Sequence, residues 1–144
     1  MRLVGAGTRD LADAKRLWWD FIREVEPQFG APITRVASGV SEQRRVGGAV
    51  DLACMAWAKW RELPYDAFPY PTVSELVECG VDVSTMRDPR RAAGPIRNRW
   101  MAEWAALEPG GVLVLVWDGR SPGSASMKRE AQATGLRIFE RVVT

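Results

Sequence analysis

The chain has 144 residues, of which 47% are hydrophobic and 26% charged, so it is long and apolar enough for one domain with a core, and disorder is excluded. Lys and Arg number 20 against 18 Asp and Glu, and the net charge of +2 argues against indiscriminate nucleic-acid binding. There is no histidine, and Cys54 and Cys79 form no CxxC pair, which excludes Ser-His-Asp triads, imidazole acid–base chemistry and His-metal sites and speaks against a disulfide scaffold or a structural zinc.

Arg2 to Ala6 reads as a short buried strand broken at Gly7, with Thr8 and Asp10 as helix N-cap candidates. Leu11, Leu17, Trp18, Phe21, Ile22 and Val25 predict an amphipathic helix that Pro27 and Gly30 end. Ile33 to Ser38 is a second strand closing at Gly39, and the polar stretch SEQRRVGG after it is expected to be a loop. From Ala49 a stripe through Leu52, Ala53, Ala56, Trp57 and Trp60 predicts a helix. Leu63 to Tyr70, with Pro64 and Pro69, is an edge strand or extended segment, and Val73 to Val83 fits a short helix. Ile96, Trp100, Trp104 and Leu107 mark a further helix. Val112 to Trp117 is a continuous apolar run of the kind that forms a parallel strand buried on both faces. A Gly/Pro/Ser-rich loop from Asp118 leads to a helix through Met127, Ala131 and Thr134, stopped by Gly135. Leu136 to Val143 is the last strand. Alternating strands and helices imply an α/β fold, a sandwich with a mostly parallel sheet, in a single domain spanning 1–144. The opening apolar run is too short for a signal peptide. No segment approaches the roughly 20 apolar residues of a membrane span, so a cytoplasmic protein without a membrane partner is expected.

Parallel sheets place ligands at the carboxyl ends of their strands. Three junctions there are built alike. They are Gly5-Ala6-Gly7-Thr8-Arg9-Asp10, then Ser38-Gly39 with Gly47-Gly48 and Asp51, and then Asp118 to Ser126 with Gly123-Ser124. Each supplies glycines that admit close backbone approach, a hydroxyl, and a following helix whose positive end favours anions. Taken singly, each is also accounted for as a strand–helix turn that needs glycine. The first loop has Asp10 where a dinucleotide fingerprint would have its third glycine, and no Gly-Lys-Ser/Thr marks a P-loop. The segment Arg87 to Arg99 holds five arginines against Asp88. Arg87, Arg90 and Arg91 read as a solvated basic loop, whereas Arg97-Asn98, just after Gly94-Pro95 at a helix start, is placed to hold phosphate or carboxylate. Trp57, Trp60, Trp100 and Trp104 read as core or interface residues, Trp117 lies nearer the ligand edge, and Cys54 reads as a small core residue.

In order, Gly7 to Asp10, Ser38-Gly39, Gly48 to Asp51, Ala-Gly-Pro-Ile-Arg-Asn-Arg-Trp-Met (Ala93 to Met101) and Gly-Ser-Ala-Ser-Met (Gly123 to Met127) resemble the motifs of the SLOG superfamily. That group contains the LOG phosphoribohydrolases and DprA, and the similarity is to its YspA-like branch of bacterial and phage proteins. The resemblance implies a Rossmann-like three-layer sandwich and a homodimer formed through helices beside the site. It also implies a pocket for a nucleotide or nucleotide-derived small molecule. No metal or cofactor is expected. Arg97 matches the arginine of the LOG Arg-Lys-x-x-Met motif, with Asn98 replacing its lysine, and Gly123-Ser124 match the phosphate loop. The position of the LOG catalytic glutamate is occupied by Met127, which cannot act as acid or base. Ser41 to Val46 looks like an insertion. Three functions follow as expectations. The first is a nucleotide-binding sensor or sequestering module. The second is a LOG-like N-glycosidase using Asp51, Asp118 or Glu130. The third is single-stranded nucleic-acid binding through Arg87 to Arg99, which the near-neutral charge opposes.

Overall fold

The computed structural model describes residues 1–43 and 46–144. Its centre is a five-stranded sheet in the order β5-β2-β1-β6-β7, built from β1 (Arg2–Gly7), β2 (Arg35–Ser38), β5 (Tyr65–Ala67), β6 (Val112–Trp117) and β7 (Arg137–Val142). Every neighbouring pair is parallel. Helices α1 (Ala14–Val25) and α2 (Ala49–Trp60) cover one face, and α4 (Ala93–Ala106) and α5 (Pro122–Thr134) cover the other. The fold is therefore a Rossmann-like three-layer α/β sandwich.

Side-chain alternation in the central strands builds both cores at once. Val112, Val114 and Val116 of β6 join Leu3, Trp18, Ile22 and Trp57 in one cluster. Leu113, Leu115 and Trp117 join Val4, Ala6, Met101 and Met127 in the other. That is why the apolar run shows no polar alternation: neither face of β6 meets water. The first core is so tight against β1 that a Cβ on Gly5 would overlap the Cys54 sulfur and stand 2.9 Å from the Trp18 ring.

Some expectations need correction. Helix α1 starts at Ala14, with Asp13 at its N-cap in the left-handed region (φ 54°), rather than at Thr8 or Asp10. Residues 8–13 turn before the helix, with the Leu11 N–H donating to the Thr8 carbonyl at 3.3 Å, and the Thr8 hydroxyl is engaged elsewhere. The stretch after Gly39 is not a plain loop. Val40–Ser41 (β3) pairs antiparallel with Val46–Gly47 (β4) in a small hairpin. Arg44 and Arg45 in that stretch lie outside the described residues. In α4 the buried face carries Ala93, Arg97, Asn98, Met101, Ala102 and Ala105, not the Ile96–Trp100–Trp104 stripe. The small residues of that face are buried, Trp100 and Trp104 stay half-buried, and Leu107 is exposed. Pro95 sits in the first turn of α4, where its missing N–H costs nothing. Trp57 is core as expected, but Trp60 is 65% exposed and lies against Trp19, ring centroids 5.4 Å apart. Helix α3 (Val73–Glu78) is held at its start by a reciprocal Thr72–Glu75 capping box. No helix among the described residues is long and apolar enough to cross a membrane.

Gly5→Ala is expected to destabilise the fold by about 1–3 kcal/mol through overpacking. Urea midpoints would show the loss, and Cys54→Ala in the same chain would restore part of it by removing the clashing sulfur. Unchanged stability of Gly5→Ala would contradict this packing.

Candidate functional site

From β1 the chain winds outward through β2 to β5, then returns to place β6 on the other side of β1. The strand order thus reverses between β1 and β6, and open parallel sheets leave a crevice at the carboxyl ends there. A cleft of about 270 Å³ lies at this point. Its floor is Ala6, Met101 and Met127, and its rim carries Arg9, Asp51 and Arg97. The first turn of α5, including Gly123 and Ser124, closes one side. A second cleft of about 330 Å³ shares Arg9, Tyr70 and Arg97 with the first and continues to the β3–β4 hairpin.

Arg97 sits between the two. Although it is an arginine, only 9% of it is exposed. Its guanidinium lies 3.9 Å from the centre of the Tyr70 ring, a cation–π contact. Gly39 passes on another side. A Cβ there would stand 2.7 Å from Arg97 Cζ, so a larger residue would push the guanidinium aside. Among the described residues, Arg97 Nε is buried without a hydrogen-bond partner, and so is Ser124 Oγ in the first turn of α5. Buried polar atoms are rarely left unmatched, and the two residues that carry these line one cleft.

Asp51, half-buried in the first turn of α2, is the countercharge. Its Oδ1 accepts from the Gly39 N–H at 3.4 Å. Removal from water pushes its carboxyl up to about 6, against the pull of Arg97, the Gly39 and Gly48 backbone and Arg9. The loops around it are cross-braced. The Asp118 N–H donates to Thr8 Oγ1 at 2.9 Å, and the Thr8 and Ser121 hydroxyls are 3.3 Å apart. The Asn98 amide donates to the Gly123 carbonyl and to Ser126 Oγ, each at 3.2 Å, fixing the start of α5 against α4. Ser38 Oγ is bonded to the Asp51 carbonyl and to the Tyr65 hydroxyl, each at 2.7 Å.

The structure brings most of the residues singled out from the sequence to one place. Gly7, Arg9, Asp51, Arg97, Asn98, Gly123 and Ser124 line the first cleft, and Gly39 lines the second. Thr8, Ser38, Gly48 and Asp118 line neither cleft and act as bracing. A Cβ on Gly48 would press on Asp51 Oδ2 at 3.0 Å. The Asp118 carboxylate accepts from the Arg120 and Ser121 N–H groups, which hold its pKa below the usual carboxylate range. Glu130 pairs with Arg99 at 3.6 Å and does not line the cleft. Trp117 points its indole N–H at Glu140, 2.7 Å away, and is not a lining residue. Sequence reasoning missed Tyr70; its position between Pro69 and Pro71, a stiff segment holding an aromatic ring at a strand's end, was the available signal.

The chain matches no protein-family model, no curated protein and no solved structure.

The raised Asp51 value has a stability consequence. A carboxyl that titrates higher in the folded chain than in the unfolded one, where 3.8 is ordinary, binds its proton more tightly when folded. Its contribution to stability is full below the unfolded value and is lost as pH rises through about 6. Asp51→Asn is expected to melt higher than the parent chain at neutral pH, with the difference closing in acid. A lower melting point of Asp51→Asn at neutral pH would show that attraction to Arg97 outweighs desolvation.

Proposed function

We propose that the chain binds a nucleotide or nucleotide-derived ligand in the first cleft, with a phosphoryl group at the start of α5. The observation that carries this reading is the pair of buried atoms, Arg97 Nε and Ser124 Oγ, unmatched among the described residues and carried by two residues that line one cleft at a helix N-terminus. Phosphoryl oxygens would accept from both, and the positive end of the 13-residue helix favours the same charge. The apolar floor of Ala6, Met101 and Met127 suits the less polar part of such a ligand. The order of motifs resembling the SLOG superfamily points the same way, and the homodimer implied there would use the exposed Val73 and Val77 of α3, the helix whose Glu75 lines the second cleft.

A sensor or sequestering role fits better than N-glycosidase chemistry. Met127 stands where that reaction would need a carboxylate, Asp118 is engaged by backbone N–H groups, and Glu130 faces Arg99. Asp51 is the one carboxylate lining the first cleft among the described residues, and its role there is to balance Arg97. Nucleic-acid binding through Arg87 to Arg99 is less well supported, since Arg90 pairs with Asp88 at 3.2 Å, Arg99 with Glu130 at 3.6 Å, and Arg97 is buried.

Thermal melting in the presence of mono- and dinucleotides tests the proposal. A ligand at a hundredfold excess over its Kd adds about 2.7 kcal/mol to stability. At least one nucleotide is expected to raise the melting temperature, and Ser124→Ala and Arg97→Met are each expected to abolish most of that rise. If no nucleotide moves the melting point of the unaltered chain, the proposal fails.

A further inference from the structure

The second cleft shares Arg9 and Arg97 with the first and has Glu75 where the first has Asp51; it differs in its walls. Its far wall is the β3–β4 hairpin, which contributes Ser41, Gln43 and Val46. Its near wall is Tyr70, shared with the first cleft. Val46 and Tyr70 are each 50% exposed, an apolar surface left uncovered inside a polar recess. At the outer end stands Glu75, whose Oε1 accepts from the Thr72 hydroxyl at 3.1 Å as part of the capping box. The occupant these walls fit is flat or apolar on its faces and hydrogen-bonding at its edge. An aromatic heterocycle meets both requirements. Its face would cover Val46 and Tyr70, and the Gln43 amide, which both donates and accepts, suits the edge of a nucleobase.

The two clefts meet at Arg9, Tyr70 and Arg97. Each is near the small end of the roughly 300–1,000 Å³ typical of ligand sites, and one molecule reaching through both would use the whole groove. We propose that the hairpin cleft is the base-reading half of the site, occupied by the heterocycle of a ligand whose phosphoryl group lies at Ser124 and Arg97. This rests on the nucleotide reading above and adds to it the part of the chain that reads the base: the hairpin, contributed by the stretch that has no counterpart in the resembling motifs. The hairpin is tied to the phosphoryl half through Gly39, the residue between β2 and β3 that makes room for the Arg97 guanidinium.

Isothermal titration with AMP and GMP, beside ribose phosphate and inorganic phosphate, separates the two halves. The nucleotide with the right base is expected to bind about tenfold or more tightly than ribose phosphate. Gln43→Ala and Val46→Ser are expected to weaken the nucleotide by about five- to tenfold and leave ribose phosphate unchanged, whereas Ser124→Ala weakens all phosphate-bearing probes. Retained ribose phosphate binding shows that the hairpin variants are folded. If ribose phosphate binds as tightly as either nucleotide, or if both hairpin variants bind the nucleotide like the parent chain, the base-reading assignment is overturned while phosphoryl binding at α5 stands. If no probe binds the parent chain, the nucleotide reading itself falls and this assignment with it.

Discussion

The site depends on a cation buried without full company. Burying a charge is expensive unless it is paired and hydrogen-bonded. Arg97 is held by three weak measures: the Tyr70 ring over its guanidinium, the bare backbone of Gly39 against it, and the partial countercharge of Asp51. None of them satisfies Nε. The fold therefore maintains an uncompensated donor where the α5 N-terminus adds potential of the same sign. Under the proposed function, an anion entering the cleft would relieve a cost that is already part of the folded state.

The surrounding architecture explains how the chain tolerates such an arrangement. The two apolar clusters on either side of the sheet anchor β1 and β6, and the loops leaving those strands are cross-braced by Thr8, Asp118 and Ser121. Asn98 locks the start of α5 to α4 from beneath. Rigid elements set the positions of Arg97 and Ser124, and neither relies on a long loop. Such placement on helices is more exact than placement on loops.

Much of this is legible in the residues. The uninterrupted run Val112 to Trp117 announces a strand buried on both faces, and glycine–hydroxyl junctions after three strands mark the edge where a ligand belongs. The α4 face is harder to read because large apolar residues draw attention from small ones. Ala93, Ala102 and Ala105 are buried, and Arg97 shares their face, whereas Trp100 is left half-buried. The hairpin is invisible in the sequence because its strands are two residues each and the surrounding stretch is mostly polar. Distinguishing lining residues from braces is also beyond the sequence. Thr8 and Asp118 have the same residue types as ligand-binding groups, and only their hydrogen bonding reveals the structural role.

The Met127 position separates this cleft from a hydrolytic one. Its side chain is 1% exposed and belongs to the apolar cluster beneath the cleft, so it closes the floor. A thioether at that position offers neither acid nor base, and the carboxylate that lines the cleft is Asp51, on the first turn of α2. The most direct test of the central claim is a nitrogen–proton correlation spectrum of the Arg97 Nε–Hε group during titration with a nucleotide that binds. The account predicts that this resonance shifts in step with occupancy in the parent chain, as Nε gains an acceptor, and that the shift is lost in Ser124→Ala at equal nucleotide concentration. A nucleotide that saturates the protein while the Arg97 Nε–Hε resonance stays in place would contradict it.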